Sequence, residues 1–393
     1  MPSGGKGKKY YLMLKSLKVL LLTNYRKDEQ RSMLRFGKLL TKGLDPEAII
    51  CEEISPKSFF SPLAPTPVIK KWGGYLDKYL IFPRRLKKAL RNPKTRPVLF
   101  HVIDHSNAVY LNKVPSNAPI KKLVTCHDLI ALRMSRNEFD HAPKVSRMGQ
   151  KLQNWIHRSL GNADAYACDS SVTEKDLHRL VPNSQGRSKI IHLGVEHSTI
   201  DHSTESSLPL HPSETDYLLH VGSSSWYKNR KGVLEAFINL RKNHEIKNLH
   251  LVFVGPELQS EEMTHSMTDK AKELSKHIIA LNTVSESALK MLYKNAKALI
   301  FPSFAEGFGW PPLEARALGC PIIVSKTGAI QDILKDSAIY VDPNNQNEIN
   351  QAMLNAVNKE PLPQSADAAI PTIEDCVENY ASLYARTIKY SHV

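Results

Sequence analysis

Two glutamates eight residues apart lie in the segment of the chain with the clearest chemical content. Residues 301–325 read FPSFAEGFGWPPLEARALGCPIIVS, where Glu306 occupies a loop with two glycines and Glu314 follows a proline pair suited to a helix start. A carboxylate accepts hydrogen bonds from the vicinal diol of a ribose or a hexose. We therefore predict that both glutamates bind sugar hydroxyls. The alternatives are helix-dipole pairing for Glu314 and a solvated loop charge for Glu306.

The glycines of this loop permit close approach of the backbone to a ligand. Amides just before a helix N terminus are suited to an anion. The amides concerned lie near Phe308, Gly309 and Trp310. The chain has no G-x-G-x-x-G fingerprint, no P-loop and no Asp-x-Asp pair. Any bound phosphate must therefore be held by basic side chains and helix N termini, because no carboxylate-bound metal is indicated.

The elements that position these residues follow from the composition of the 393-residue chain. Its 41% hydrophobic and 23% charged residues are typical of a globular protein, and its length favours two domains of about 200 residues each. No run of about 18 apolar residues and no N-terminal cleavage pattern occurs, so neither a membrane span nor a signal peptide is expected. The five cysteines are scattered without a C-x-x-C pair. We expect them to pack in the core of a protein in a reducing cytoplasm, without disulfides or zinc.

The net charge of +14 is distributed unevenly. Residues 1–200 carry 35 Lys and Arg against 16 Asp and Glu, whereas residues 201–393 carry 18 against 23. This asymmetry indicates an anionic partner for the first half. The densest basic cluster, Arg84–Arg96, follows aromatic and aliphatic residues between Trp72 and Phe82. It is either a surface that lies on an anionic bilayer or a solvated helix face whose apolar side is core. No recognition motif favours nucleic acid.

Strand-like apolar runs alternate with helical patterns, which is typical of βαβ units around parallel sheets. Six strands are predicted in each half, from Lys18–Asn24 to Lys189–Leu193 and from Tyr217–Val221 to Ala338–Val341. Two doubly wound domains would leave a ligand cleft at the carboxyl ends of their strands, with the polar stretch Glu196–Asp216 as the hinge. We predict Rossmann-like domains at 1–200 and 201–372 and a closing helix at 373–393.

These patterns resemble the retaining family 4 glycosyltransferases, which have the GT-B architecture of two Rossmann-like domains. The segment PS–EGFG–PPLEA–ALG–PIIVS is similar to their E-x7-E signature. This resemblance places Glu306 on the donor sugar and Glu314 on the nucleotide ribose. His220-Val-Gly-Ser223 and Lys228-Asn-Arg-Lys-Gly232 resemble the strand, loop and helix that hold the donor diphosphate. The implied donor contacts are Gly222, Ser223, Lys228, Arg230, Lys231, Phe308, Gly309 and Trp310.

The first half resembles a bacterial subgroup of the same family. Val102-Ile-Asp-His-Ser106 and Thr125-Cys-His-Asp-Leu129 carry this resemblance. It implies that His127 lies beside the donor sugar and that Asp104 and His105 lie on the acceptor side. A satisfied strand-end histidine and a capped turn are the respective alternatives. Asp128 is expected to be structural, as an acceptor for backbone amides.

The sequence departs from the family pattern in three places. An Arg usually precedes Lys-Asn where Tyr227 stands, so Arg230 or Lys231 would supply that charge. Trp310 replaces a common leucine, and the loop Asn24–Ser32 lacks the usual glycines. The last departure leaves the acceptor side undefined.

The resemblance implies transfer of a hexose from a nucleoside-diphosphate sugar to a hydroxyl of a glycan or lipid-linked acceptor, with retention at the anomeric carbon. Glu306, His127 and Lys228 would be the catalytic residues, and no metal or other cofactor is expected. The expected setting is cell-envelope polysaccharide or glycolipid synthesis in the cytoplasm, with the inner face of the cytoplasmic membrane as a partner of the basic half. A GT-B-fold nucleotide-sugar 2-epimerase and a non-catalytic, membrane-associated assembly partner are the alternatives.

The closing helix, with Tyr380 and Tyr384, resembles the family's terminal helix that crosses back onto the first domain.

Overall fold

The computed structural model describes residues 16–28, 30–60, 67–92, 96–195, 208–244, 246, 248–256, 276–326, 328–358 and 370–389. Most of the predicted hinge and part of the basic cluster lie outside these residues, at 196–207 and 93–95. The chain forms two compact units. The first comprises Met1–Glu138, Lys144–Gly194 and Ile373–Val393, and the second comprises Phe139–Pro143 and Val195–Thr372. The domain boundaries predicted at residues 200 and 372 stay predictions.

The first unit is built on a six-stranded parallel sheet in the order β2-β1-β3-β4-β5-β6. Its strands are β1 Leu17–Leu22, β2 Ile49–Ile54, β3 Leu99–Val102, β4 Lys121–Cys126, β5 Ala165–Cys168 and β6 Ser188–Ile190. Its helices are α1 Arg31–Gly43, α2 Pro67–Leu76, α3 Phe82–Arg91, α4 Ile130–Ser135, α5 Arg147–Leu160, α6 Ser171–Leu180 and the C-terminal helix Ile373–Lys389. A π-helical turn, Asp77–Ile81, joins α2 to α3, and a 3₁₀ helix spans His105–Lys113.

The second unit repeats this plan with the strand order β12-β11-β10-β7-β8-β9, again all parallel. Its strands are β7 Tyr217–Val221, β8 His250–Val254, β9 Ile278–Leu281, β10 Ala298–Phe301, β11 Ile322–Ser325 and β12 Ile339–Val341. Its helices are α7 Arg230–His244, α8 Glu286–Asn295, α9 Trp310–Ala317, α10 Ile330–Leu334 and α11 Gln346–Val357. Neighbouring residues such as Leu218 and Leu219 belong to core clusters on opposite faces of the sheet. Burial on both faces explains why the strands are continuous apolar runs.

The C-terminal helix (hereafter α12) packs on the first unit. Its Tyr384 hydroxyl lies 2.8 Å from Nδ1 of His101, and its Tyr380 hydroxyl lies 3.0 Å from the hydroxyl of Thr125. Nε2 of His101 lies 2.8 Å from the same Thr125 hydroxyl, so one buried polar network joins the helix to β3 and β4. A Cβ on Gly43 would lie 2.5 Å from Val377, so α1 also fits closely against this helix.

All twelve predicted strands are present, with ends that differ by up to three residues from the prediction. A helix face was one of the two interpretations of the basic cluster, and the structure has a helix there that continues from an unpredicted start at Pro67 to Arg91. Two glycines and Pro83 indicate a break in this stretch, because proline lacks an N–H and collides with the preceding helical turn. The π-helical turn ends at Ile81, and Pro83 lies in the first turn of α3, where a proline is tolerated.

Candidate functional site

The candidate site of the second unit begins where β7 and β8 end. The N–H of Gly222 donates to the Val254 carbonyl at 3.0 Å, and Gly255 follows β8 with φ +147°. A Cβ on Gly255 would lie 2.0 Å from the carbonyl oxygen of Gly222. Only glycine allows this contact, which brings the two loops together backbone to backbone.

Asn229 fixes the loop that follows β7. It has φ +53°, in the left-handed region that asparagine tolerates, and it directly precedes α7. Its buried amide donates to the carbonyls of Pro302 and Pro343 at 3.1 and 3.0 Å. A Cβ on Gly232 would lie 2.4 Å from Oδ1 of Asn229, so the glycine one turn later makes room for this side chain. The Lys-Asn-x-x-Gly spacing thus fixes the loop against the ends of β10 and β12.

Lys228 and Glu306 meet at this point. Nζ of Lys228 lies 2.7 Å from Oε1 of Glu306, and the two side chains are only 13% and 7% exposed. The ammonium also lies 4.6 Å from the centre of the Phe301 ring, in the position of a cation–π contact. Lys228 is therefore not a solvated loop lysine, and Glu306 is not a solvated loop charge. The structure brings together the two residues that the resemblance assigns to diphosphate and donor sugar.

Glu314 lies on α9, which Gly309 precedes with φ +100°. A Cβ on Gly309 would approach Ile330 to 3.0 Å. Oε2 of Glu314 accepts a hydrogen bond from the hydroxyl of Tyr293 on α8 at 3.1 Å, and the glutamate is half-buried. Tyr293 therefore orients the carboxylate assigned to the ribose.

The remaining predicted donor contacts divide by exposure. Arg230 is buried, donates from Nη2 to the Pro256 carbonyl at 2.8 Å and lies over the Phe253 ring. Lys231 is 51% exposed and its ammonium lies 3.8 Å from Glu235 on the same helix, so it does not join Lys228. Ser223 is exposed and donates to the Ser225 hydroxyl. The side chains of Phe308 and Trp310 are buried.

His220, the strand residue before this loop, is buried beneath it. Nδ1 donates to the Ile300 carbonyl at 2.8 Å, which fixes a tautomer with the lone pair on Nε2. Burial lowers the pKa of His220 to about 3, and the charges of Arg230 and Lys228 act in the same direction. The imidazole is therefore neutral.

The first unit carries a separate polar cluster at its own strand ends. Asp104 follows β3 and caps the 3₁₀ helix by accepting from the amide of Ser106 at 2.9 Å. Its other carboxylate oxygen accepts from Asn24, which follows β1, at 2.5 Å. Nδ1 of His105 lies 3.5 Å from Oδ1 of Asp104. Burial opposes ionisation of Asp104, but His105, His127 and the hydrogen bond from Asn24 outweigh it and hold the pKa of Asp104 below its usual value.

His127, directly after β4, is held at both ring nitrogens. Nδ1 lies 2.6 Å from Oδ2 of Asp169, and Nε2 lies 2.8 Å from the Ile103 carbonyl. A carbonyl oxygen only accepts, so Nε2 carries a proton, and the carboxylate attracts a second proton to Nδ1. Although burial acts in the opposite direction, Asp169 raises the pKa of His127 to about 9. His127 is thus a buried imidazolium, with an edge-to-face contact to Phe36.

Asp128 accepts a hydrogen bond from the amide of Ile130 at the start of α4, which confirms its predicted structural role. Cys126, Cys168, Cys320 and Cys376 are buried free thiols, which confirms the predicted core packing for these four. The described residues contain no group of three or more His, Cys, Asp or Glu side chains arranged to hold a metal.

No helix in the described part of the chain is both long and apolar enough to cross a membrane.

Sequence reasoning missed three residues that organise the two clusters. From the sequence, Asp169 and Tyr293 have no predicted role, and Asn229 is included only within the basic loop Lys228–Gly232. The Asn-x-x-Gly spacing of Asn229 and Gly232 was a detectable signal, because asparagine tolerates the left-handed conformation and glycine leaves room for its side chain. Asp169 and Tyr293 carry no such signal, because each meets its partner through folding and not through sequence spacing.

Comparison with known proteins shows which protein family the second unit is similar to. Residues 203–371, nearly the whole second unit, match the family described as Glycosyl transferases group 1. The O-antigen chain mannosyltransferase RfbU of Salmonella typhimurium is 33% identical over 140 residues, which are 36% of this chain and 38% of that protein. The O-antigen chain mannosyltransferase B of Escherichia coli is 25% identical over 293 residues, which are 74% and 72% of the two chains.

The similarity to solved structures extends over both units. A sucrose-phosphate synthase from Thermosynechococcus elongatus superposes with a TM-score of 0.66 at 18% identity, over 95% of this chain and 94% of that one. The two doubly wound parallel sheets therefore have the GT-B fold, which confirms the predicted fold class. The match to the glycosyl transferases group 1 family covers residues 203–371, which include the E-x7-E block.

Proposed function

We propose that this chain is a retaining glycosyltransferase of family 4 that transfers mannose from a nucleoside-diphosphate sugar to a hydroxyl of a glycan or lipid-linked acceptor. The choice of mannose rests on the names of the two curated relatives, both mannosyltransferases of O-antigen chains. The proposed setting is O-antigen-like polysaccharide synthesis on the cytoplasmic side of the cell envelope. The observation that carries the proposal is the Lys228–Glu306 contact, inside the segment that matches the family.

The Lys228–Glu306 contact supplies one positive and one negative side chain for the proposed reaction. The bond from the anomeric carbon to the diphosphate oxygen breaks, and a bond from that carbon to the acceptor oxygen forms on the same face. The proton of the acceptor hydroxyl passes to the leaving diphosphate. Lys228 stabilises the negative charge that develops on the diphosphate, and Glu306 orients the sugar hydroxyls.

Glu314 holds the nucleotide ribose in this proposal, with Tyr293 fixing its orientation. Amides around Phe308, Gly309 and Trp310 add to diphosphate binding at the N terminus of α9. Arg230 contributes charge from its buried position, and no metal is required. His127 acts in the first unit as a fixed cation, since neither ring nitrogen is available as a base in this arrangement. Asp104 and His105 remain proposed acceptor-side residues.

The first experiment is a thermal-shift titration with GDP-mannose, UDP-glucose and ADP-glucose in the presence of a chelator. We expect GDP-mannose or another mannose donor to stabilise the wild type, and Glu314→Ala to lose that stabilisation. Glu286→Ala, whose carboxylate is 61% exposed on the neighbouring helix α8, is the matched control and should keep it. A metal requirement would contradict metal independence, and absence of any shift would contradict donor binding.

Product analysis then separates the proposal from its main alternative. Mannosyl transfer consumes the donor only with an acceptor present, whereas a 2-epimerase converts the nucleotide sugar without one. Conversion of the donor alone to an epimer would overturn the proposed transfer.

A further inference from the structure

Two neighbouring helical segments of the first unit expose large apolar side chains. We call them the apolar patch. Its members, with their exposed fractions, are Trp72 (54%), Leu76 (44%), Leu80 (49%), Met148 (62%) and Trp155 (40%). Single exposed apolar residues are ordinary in a protein surface, but five on adjacent helices are not.

The spacing places these side chains together. Trp72, Leu76 and Leu80 recur every four residues along the helical segment Pro67–Arg91, and residues four apart share a side of a helix. Met148 and Trp155 are seven residues apart on α5, which also gives one face. The ring of Tyr79 lies 5.6 Å from that of Trp155 and therefore joins the two helices.

Positive charge borders the apolar patch. Arg84 continues the spacing of four after Leu80 and donates to the Leu80 carbonyl at 3.1 Å. The exposed basic residues on the two segments are Arg84, Arg85, Lys87, Lys88, Arg91, Arg147, Lys151 and Arg158. The acidic residue in these two stretches of sequence is Asp77, which is buried and accepts from the Tyr25 hydroxyl. No exposed carboxylate therefore interrupts the basic border on these segments.

The opposite side of the same segment is core. Phe82, Leu86 and Leu90 are fully buried in the hydrophobic cluster of the first unit. The two interpretations of this stretch thus apply to different residues: the apolar side of α3 packs inward, whereas Trp72, Leu76 and Leu80 face outward beside the basic residues.

We propose that the apolar patch and its basic border bind the interface of an anionic lipid bilayer. Tryptophan and leucine side chains enter the boundary between headgroups and acyl chains, while Lys and Arg pair with lipid phosphates. A neutral glycan would not require the basic border, and a second copy of this chain would have to accommodate like charges. The inference deepens the proposed function, on which it rests, by naming the surface that brings the enzyme to a lipid-linked acceptor.

The test is co-sedimentation of the full chain with vesicles of phosphatidylcholine alone or with about one third phosphatidylglycerol. We expect binding to the anionic vesicles alone, weakened by salt. The double variant Trp72→Ser/Trp155→Ser and, separately, Arg84→Glu/Lys88→Glu should each lower the binding constant at least about tenfold. The matched controls are Ile50→Ser, an exposed apolar residue on β2, and Lys242→Glu, an exposed lysine of α7.

Three outcomes would overturn the inference. The wild type fails to bind anionic vesicles, or both patch variants bind as the wild type does, or sedimentation equilibrium shows a dimer that the tryptophan variant abolishes while no lipid binds. Circular dichroism checks that the variants are folded, and the charge variant leaves the apolar side chains intact should the tryptophan variant unfold.

Donor binding, measured by thermal shift without lipid, keeps this test separate from the proposed function. Patch variants should bind the donor as the wild type does. Vesicle binding without any donor shift would contradict the proposed function alone, and a donor shift without vesicle binding would contradict the membrane surface alone.

Discussion

Each unit buries a histidine at the carboxyl end of a central strand, and the two histidines have opposite charge states. His127, after β4 of the first unit, contacts the carboxylate of Asp169, and its pKa is raised to about 9. His220, in β7 of the second unit, donates to a backbone carbonyl beside Arg230 and Lys228, and its pKa is lowered to about 3.

The difference shows that burial alone does not decide the charge of an imidazole. Burial disfavours the cation in both units, and in the first it is overcome by the Asp169 carboxylate at 2.6 Å, with smaller contributions from Asp104 and the Ile103 carbonyl. The second unit carries its positive charge on Lys228 instead, paired with Glu306 at 2.7 Å. The first unit thus has a cation held by a buried carboxylate, and the second has a cation that we propose contacts the donor diphosphate.

The largest effect is expected from Asp169→Asn, which removes the partner of His127. Loss of one member of a buried ion pair leaves the other uncompensated, so the free energy of unfolding should fall by about 3 kcal/mol. Urea denaturation measures this loss. Asp128→Asn is the matched control and should be almost neutral, because the side-chain oxygen of asparagine also accepts the hydrogen bond from the Ile130 amide. Equal stability of the two variants would show that the His127–Asp169 contact is not an ion pair.

Lys228→Met tests the cation of the second unit. Loss of a group that stabilises developing charge should lower kcat/KM about 100- to 1000-fold, with most of the loss in kcat. Steady-state transfer of the sugar measures this. Lys231→Met, three residues later and paired with Glu235 at the surface, should stay near the wild type. A similar loss in both variants would place the diphosphate contact on Lys231 instead.

The buried histidines should make the free energy of unfolding depend on pH, and His127 should act in the opposite direction to His220 and His101. Between pH 6.5 and about 9 the folded state holds a proton on His127 that the unfolded chain lacks, so the stability it adds is complete below pH 6.5 and lost as pH rises. Between about 3 and 6.5 the unfolded chain takes up protons that His220 and His101 do not, so stability falls as pH decreases.

The alkaline loss should amount to at most about 3 kcal/mol. Denaturation midpoints at half-unit pH steps measure both limbs. Asp169→Asn should flatten the alkaline limb, and His220→Gln should reduce the slope of the acid limb and leave the alkaline limb unchanged. An alkaline limb unchanged in Asp169→Asn would show that another group causes it.

The smallest effect is expected from Tyr293→Phe. This change removes the hydrogen bond to Glu314 and should raise the KM for the donor a few-fold, equivalent to about 1 kcal/mol, with kcat unchanged. Tyr340→Phe, which removes a hydroxyl bonded to the Lys335 carbonyl in the same unit, is the control and should not alter KM. A fall in kcat would indicate that Tyr293 acts on the sugar and not through the ribose.

Much of the fold was predictable, because the strands of a two-faced sheet are apolar runs bounded by polar loops. The E-x7-E block was also readable, since Glu306, Gly309 and Glu314 are close in sequence and their conformations are set locally. The helix of the basic cluster was one of two interpretations, but its continuation back to Pro67 was not predicted, because two glycines interrupt the helical pattern there. Neither Asp169 nor Tyr293 was assigned a role, because their partners lie 42 and 21 residues away.

The sequence by itself determined the alternation of strands and helices, the similarity of residues 203–371 to a glycosyltransferase family, and the residue types that we propose for binding diphosphate and sugar. These depend on hydrophobic periodicity and on short loops, in which neighbouring residues constrain one another. Only the tertiary structure decided that Lys228 meets Glu306, that His127 is charged while His220 is neutral, and that Trp72 faces outward while Phe82 is core. These outcomes depend on contacts between distant segments and on the burial of charge, which take effect only when the sheet brings its strand ends together.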